Sequence, residues 1–205
     1  MDRSAAARLR AEMREQMRSR RAALPADEQF AAAMAVMTRL AKLRVLEGAR
    51  VVAGYRAVRG EVEIDAPLQL CIDRGSIVTL PRVAGDTLEF VVHDSDAPSR
   101  RGAFGIPEPL GGRTIAVSSH DVMLVPLVAF DETGSRLGQG GGFYDRALDP
   151  VRSRPFGERP ALIGVAHSFQ QVPSVLVEPW DVSLDAIVTE DGVVGVTPGA
   201  ASPWV

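Results

Sequence analysis

The stretch DVMLVPLVAFDETGSRLGQGGGFYDR, residues 121–146, decides the fold. Its apolar run from Met123 to Phe130 ends at Asp131. Five glycines follow (Gly134, Gly138, Gly140, Gly141 and Gly142), and then Phe143, Tyr144, Asp145 and Arg146. An apolar run of this length bounded by turn residues reads as a buried strand. Glycines just after such a strand let the backbone approach a ligand closely, and their bare amides suit phosphate oxygens. The Asp and Arg that follow suit a cation and an anion. A nucleotide-phosphate site is expected here.

The loop is neither of the common nucleotide motifs. GQGGG has no GK[ST] ending and lacks the GxGxxG spacing, and no acidic ribose partner follows about 20 residues on. The alternative is a mobile surface loop. The FYDR ending argues against it, because flexible linkers rarely close on two aromatics and an ion pair.

Working outward, residues 3–24 read as a helix with Leu9, Met13, Met17 and Leu24 inward. Arg10, Arg14, Arg18 and Arg21 recur at steps of three or four and share one face, either solvated or gripping an anion. A second helix runs to about residue 43, with Phe30, Met34, Met37 and Leu40 or Ala41 inward. Strands are expected at 50–55, 76–83, 87–93, 121–130, 161–166 and 186–189. Helices are expected at 65–74, capped by Asp65, and from 143 to 148. Residues 94–112 read as a long loop, and long loops are often functional. Trp180 is expected to be packed. The alternation of helices and strands argues for an α/β fold with a largely parallel sheet. One domain is expected over 1–190, with a tail at 191–205.

Composition bounds the function. The 205 residues carry a net charge of −3, so no global basic field points to nucleic acid. Cys71 is the only cysteine, which excludes an internal disulfide and a cysteine-rich metal site, and it reads as a small buried group. No stretch approaches the roughly 20 apolar residues that span a bilayer. The N-terminus has no apolar run of the secretory kind, so the cytoplasm is expected. Asp145 and Asp185 are candidate magnesium acids, with Asp181 and Asp131 as weaker rivals. Glu61 and Glu63, in the loop after the first strand, are each read as a solvated acid or as an acceptor for the N–H groups of a heterocycle.

Several segments together resemble one family. RLGQGGGFYDR (136–146), preceded by VPLVAFD (125–131), is similar to the signature of 5-formyltetrahydrofolate cyclo-ligases, also called methenyltetrahydrofolate synthetases. LRAEMREQMRSRRAAL (9–24), GEVEI (60–64), LPRV (80–83), FGIPEP (104–109), IGVAHSFQQV (163–172) and EPWDVSLDAIVTE (178–190) resemble its other segments. The likeness covers roughly residues 8–190. Gly141 stands where many eukaryotic members carry Lys, as in the bacterial branch.

The resemblance implies a single-domain three-layer α/β/α fold with a mostly parallel sheet, like that of sugar-phosphate isomerases and CoA transferases. It implies closure of 5-formyltetrahydrofolate to 5,10-methenyltetrahydrofolate with ATP and Mg2+, through a phosphorylated formyl group, releasing ADP and phosphate. It puts Arg10, Arg14, Arg136, Gly138, Gln139, Gly140, Gly141, Gly142, Phe143 and Tyr144 on ATP. It puts Arg56, Glu61, Phe104 and the loop residues Gln139 to Phe143 on the folate. It makes Asp145 and Asp185 the magnesium acids and Arg136, Tyr144 and Asp145 the catalytic groups. The expected partners are these small molecules, without nucleic acid or membrane, and the expected state is a monomer, with a homodimer as the alternative. The rival readings are a non-catalytic nucleotide or folate binder, a sugar-phosphate isomerase or CoA transferase, and an RNA-binding module.

Overall fold

The structure, a computed structural model, describes residues 3–94, 98–102, 104–196 and 204. Helices α1 (Arg3–Ala22), α2 (Ala26–Leu40) and α3 (Arg44–Glu47) precede β1 (Val51–Ala53). Then come α4 (Asp65–Asp73), β2 (Ile77–Ala84), β3 (Thr87–Val92), β4 (Ser99–Arg101), β5 (Pro107–Pro109), β6 (Thr114–Ile115) and β7 (Val122–Pro126). The chain continues through β8 (Ala129–Phe130), β9 (Arg136–Leu137), α5 (Phe143–Leu148), β10 (Ala161–Val165), β11 (Ala186–Val188) and β12 (Val193–Gly195).

One sheet has the order β12-β11-β10-β7-β1-β2-β3-β6. From β11 to β2 every pair is parallel, while β12, β3 and β6 pair antiparallel at the two edges. The expected α/β fold with a mostly parallel sheet is the fold observed. The central strands alternate between two cores, as a two-residue period requires. Val122, Leu124, Ile163, Val165, Ala186 and Val188 face the side covered by Val36 and Leu40 of α2 and by Leu68 and Cys71 of α4. Met123, Val125, Leu162 and Ile187 face the side covered by Ala147 and Leu148 of α5. After β1 the chain forms β2 on one side and then crosses to β7 on the other. The strand order therefore reverses between β1 and β7, where open α/β sheets bind ligands beyond the carboxyl ends of their strands.

Five expectations need correction. The apolar run 121–130 is two strands: β7 ends at Pro126, and β8 turns away to form a hairpin with β9. Gly134 closes that hairpin with φ +80° and belongs to its turn, not to the phosphate loop. The expected tail from 191 carries structure at its described residues, because β12 extends the sheet and Trp204 is buried in the α2/α4-side core. The loop 94–112 contains the β4–β5 hairpin. The inward face of α2 is Ala32, Val36 and Leu40, leaving Phe30 and Met34 exposed. That helix is apolar around much of its girth, and its smaller residues let it approach the sheet closely.

Smaller departures follow the same physics. Asp65 does not cap α4; Glu63 Oε1 accepts from the backbone amides of Ile64 and Asp65 at 2.9 and 3.2 Å instead. Leu9 and Trp180 are exposed, and Cys71 is buried as expected.

Helix α1 lies apart from the main sheet. Met17, with Met13 beside it, packs on Val128, Ala129 and Leu137 of the β8–β9 hairpin. That contact sets the basic face of α1 over the residues that follow β9, which are the glycine loop.

Candidate active site

A cleft of about 280 Å³ opens at the switch point. Tyr55 and Arg56, just past β1, and Pro126, the last residue of β7, form its floor with Arg136. The glycine loop lines one side, the 58–61 loop another, and Phe104, Ile106 and Glu108 close it over the β4–β5 hairpin.

Arginines set the backbone of the glycine loop. Arg14 Nε donates to the carbonyl of Gly138 at 2.9 Å, Arg18 Nη2 to that of Gln139 at 2.9 Å, and Arg146 Nη2 to that of Gly141 at 2.6 Å. In a trans peptide the next N–H points opposite to the carbonyl. With three carbonyls turned to cations, the amides of Gln139, Gly140 and Gly142 face away from them. Among the described residues, no amide from Gln139 to Gly142 donates a hydrogen bond. Gly140 and Gly142 hold φ of +104° and +67°, which a side chain would strain. A row of free amides with arginines around it is an anion nest.

The basic face of α1 is engaged with the rest of the protein and is not a solvated stripe. Arg10 pairs with Glu178, Arg14 and Arg18 grip the loop, and Arg21 reaches Glu61. Burial lowers the Arg14 pKa, the neighbouring Arg10 and Arg18 charges lower it further, and Asp181 acts in the opposite sense. Such crowded cations are relieved by a bound polyanion.

Arg136 and Asp145 sit together beside the loop. Arg136 is 5% exposed, and its Nη1 donates to Asp145 Oδ1 at 2.8 Å. Its Nη2 is buried without a protein partner, as is the hydroxyl of Tyr144. Both residues line the cleft, so each holds a donor for a ligand. Burial, aided by the nearby Glu61, pushes the Tyr144 pKa well up, which keeps the phenol protonated.

The other wall is apolar with acids set into it. Phe104 and Phe143 meet edge to face, with centroids 5.3 Å apart. The Glu61 side chain is 8% exposed, and its Oε1 accepts from Gln139 Nε2 at 3.0 Å and Arg21 Nη1 at 3.4 Å. Val58 N donates to its Oε2 at 3.3 Å. Burial raises the Glu61 pKa, and Arg21 is the largest opposing influence. Arg56 lines the cleft and is paired with Asp65 at 2.7 Å.

One expected site residue is elsewhere. Asp185 precedes β11 and therefore lies at the amino end of a parallel strand, opposite the cleft. Its carboxylate takes both terminal nitrogens of Arg159 at 2.7 Å and the amide of Leu162 at 2.8 Å. Asp131 is also structural, since its oxygens accept from Thr133, Ser135 and Val175. The acid beside Asp145 is Asp181, four residues before Asp185. Val182 N donates to Asp145 Oδ1 at 3.2 Å, and the charge of Asp145 adds to burial in raising the Asp181 pKa.

The expected residues Arg14, Arg56, Glu61, Phe104, Arg136, Gly138 to Gly142, Phe143, Tyr144 and Asp145 thus meet at one place, with Arg10 at its margin. Sequence reasoning placed Arg18 and Arg21 only on the four-arginine face, either solvated or gripping an anion, and gave Glu108 no site role. The four-arginine face held the signal for the first two. Glu108 stands between two prolines in a segment read as loop, and no local pattern marks it.

This geometry defines an α/β protein with a glycine loop flanked by arginines on one side of a cleft and an apolar, acid-bearing wall on the other. The chain belongs to the 5-formyltetrahydrofolate cyclo-ligase family, whose model matches residues 6–190. The 5-formyltetrahydrofolate cyclo-ligase of Haemophilus influenzae is 34% identical over 180 residues, covering 85% of this chain and 94% of its own. That of Escherichia coli K12 is 34% identical over 182 residues, covering 86% and 98%. The solved 5,10-methenyltetrahydrofolate synthetase of Aquifex aeolicus superposes with a TM-score of 0.80 at 32% identity, covering 94% of this chain and 95% of that one. The Mycoplasma pneumoniae synthetase gives 0.71 at 27%, covering 88% and 98%. The protein is accordingly an enzyme of folate one-carbon chemistry, a cyclo-ligase. Among the described residues no helix is long and apolar enough to cross a membrane.

Proposed function

We propose that the protein uses ATP to close 5-formyltetrahydrofolate to 5,10-methenyltetrahydrofolate, releasing ADP and phosphate, in the cytoplasm. The observation that carries this is the glycine loop. Its carbonyls are held by Arg14, Arg18 and Arg146 while its amides stay free beside the unpartnered Nη2 of Arg136. The triphosphate lies against those amides, with the face of α1 neutralising its charge. The folate ring lies between Phe104 and Phe143, with its N–H groups toward Glu61.

A formamide oxygen is a poor leaving group, and phosphorylation cures that. The formyl oxygen attacks the γ-phosphorus, and the bond to the β-bridging oxygen breaks with its electron pair leaving on ADP. The folate N10 lone pair then attacks the formyl carbon of the resulting iminium phosphate. N10 gives its proton to solvent, and the C–O bond breaks to release phosphate. Little covalent help is needed from protein, but in-line placement and matched charge are. Arg136 Nη2 serves the transferring phosphoryl oxygens, and the protonated Tyr144 hydroxyl is a fixed donor in the same cleft.

Asp145 and Asp181 fit a magnesium ion. They are two hard oxygen donors at the edge of the phosphate loop, close enough that the charge of Asp145 adds to burial in raising the Asp181 pKa. Bound there, the metal would neutralise phosphate charge. Asp185 is withdrawn from this role, because Arg159 and Leu162 occupy its carboxylate.

The test is to mix protein, ATP, magnesium and 5-formyltetrahydrofolate and follow the ultraviolet absorbance of the methenyl product. The reading predicts growth that requires ATP. Folded protein that gives none would sink it.

A further inference from the structure

Beyond holding one loop carbonyl, Arg18 binds the side chain of the same residue, making three bonds to it in all. Its Nη2 donates to the Gln139 carbonyl and to Gln139 Oε1, both at 2.9 Å, and its Nε donates to that Oε1 at 3.1 Å. The other end of the same amide, Nε2, donates to Glu61 Oε1 at 3.0 Å. An arginine only donates and a carboxylate only accepts, so the amide fits this gap in one orientation. Arg21 reaches Glu61 at 3.4 Å, and Val58 N holds its second oxygen. Arg18, Gln139 and Glu61 therefore form a strap from α1, through the glycine loop, to the 58–61 loop. Its two ends are 43 residues apart in the chain, counted from 18 to 61.

We propose that Arg18 is a positioning residue that couples the phosphate loop to the acceptor pocket, so that ATP in the loop prepares Glu61 for the folate. The proposal rests on the ATP-and-folate reading of the site. Arg14 and Arg18 pin two successive peptides of the loop by their carbonyls, and phosphate on the free amides pins the same peptides from the other face. Gln139 then has a fixed backbone and a fixed side chain, and it holds Glu61 Oε1 in one place. A ligand whose N–H groups need that carboxylate meets an acceptor already set. Coupling of this kind is reciprocal, so the folate must tighten the nucleotide by the same factor.

Calorimetry on the full chain separates this role from a plain phosphate contact. Binding of 5-formyltetrahydrofolate is measured alone and with a saturating non-hydrolysable ATP analogue and magnesium, in the wild type, Arg18→Met and Arg18→Lys. In the wild type the analogue tightens folate about tenfold, a usual size for coupling between sites. In Arg18→Met that factor falls to about one, whatever the change in the affinity of each ligand measured alone. Arg18→Lys gives an intermediate factor, because an ammonium replaces a planar fork by a point donor. The proposal is overturned if Arg18→Met keeps the wild-type factor, or if the wild type shows no coupling. It is equally overturned if Arg18→Met weakens the analogue alone by tenfold or more with the factor intact. Failure of the wild type to bind either ligand would remove the ATP-and-folate reading itself, a result distinct from two ligands that bind without coupling.

Discussion

Arg136 Nη1 lies 2.8 Å from Asp145 Oδ1, and the side chains of this pair are 3% and 18% exposed. The pair joins β9, which leads into the glycine loop, to α5, which leaves it. It leaves Arg136 Nη2 without a protein partner beside the loop. One carboxylate thus fixes the cation proposed to serve the phosphates and stands next to Asp181. Removing it strands a buried charge, which typically costs about 3–5 kcal/mol. Asp145→Ala is expected to lose that much stability in urea unfolding and more than about 100-fold in turnover, the scale of losing one preorganised transition-state contact. Asp145→Asn keeps an acceptor for Arg136, so it recovers much of the stability but not the turnover.

Asp185, a structural acid, and Asp181, proposed as a magnesium ligand, are expected to respond differently to substitution. Asp185→Ala leaves Arg159 and the Leu162 amide without their acceptor, so unfolding shifts by about 3–5 kcal/mol. The folded fraction keeps its magnesium requirement. Asp181→Ala removes a partly exposed acid whose ionisation burial already disfavours. Its stability stays within about 0.5 kcal/mol of wild type, and the magnesium concentration for half-maximal rate rises. Magnesium titration of both variants beside urea unfolding checks this.

Glu61 sets the acid limb of the pH profile. Burial raises its pKa, so the acid limb of kcat/KM for the folate is expected above the ordinary glutamate value of about 4.3. Glu61→Gln abolishes that limb along with most of the folate affinity. The linkage has a definite sign. A raised folded-state pKa contributes stability below the unfolded value, and that contribution is lost as pH rises through the folded value. Ionised Glu61 therefore costs stability at neutral pH, where the carboxylate is needed. Stopped-assay pH profiles at limiting folate test the limb.

Trp204 ties the end of the chain to the fold. It is 5% exposed, meets Phe156 edge to face at 5.7 Å, and covers Gly195 of β12. Trp204→Ala is expected to cost about 3–5 kcal/mol, as large-to-small core changes do. Turnover per folded molecule should stay unchanged, because the cleft lies at the other ends of the strands. Urea unfolding and active-site titration read the two quantities.

Continuous apolar runs such as 123–130 and 161–166, alternating along the chain with helices, made the parallel sheet legible in the sequence, and the cleft at its carboxyl ends followed from it. The arginine spacing on α1 was legible too, since 10, 14, 18 and 21 fall on one face whatever that face touches. The side taken by α2 was not legible, because Phe30 and Met34 offer as good a stripe as Val36 and Leu40. Nor was the choice between Asp181 and Asp185. Their four-residue spacing says nothing about strand direction, and only the parallel pairing of β10 with β11 puts Asp185 at the far end. The β4–β5 hairpin escaped notice because SRR and PEP lack the branched and aromatic residues that mark strands.

The central claim is that the formyl oxygen attacks the γ-phosphorus held in the glycine loop. Substrate labelled with oxygen-18 in the formyl group tests it in one measurement, by mass analysis of the phosphate released in a single turnover. The account predicts one labelled oxygen in each phosphate. Unlabelled phosphate formed together with methenyl product would contradict it.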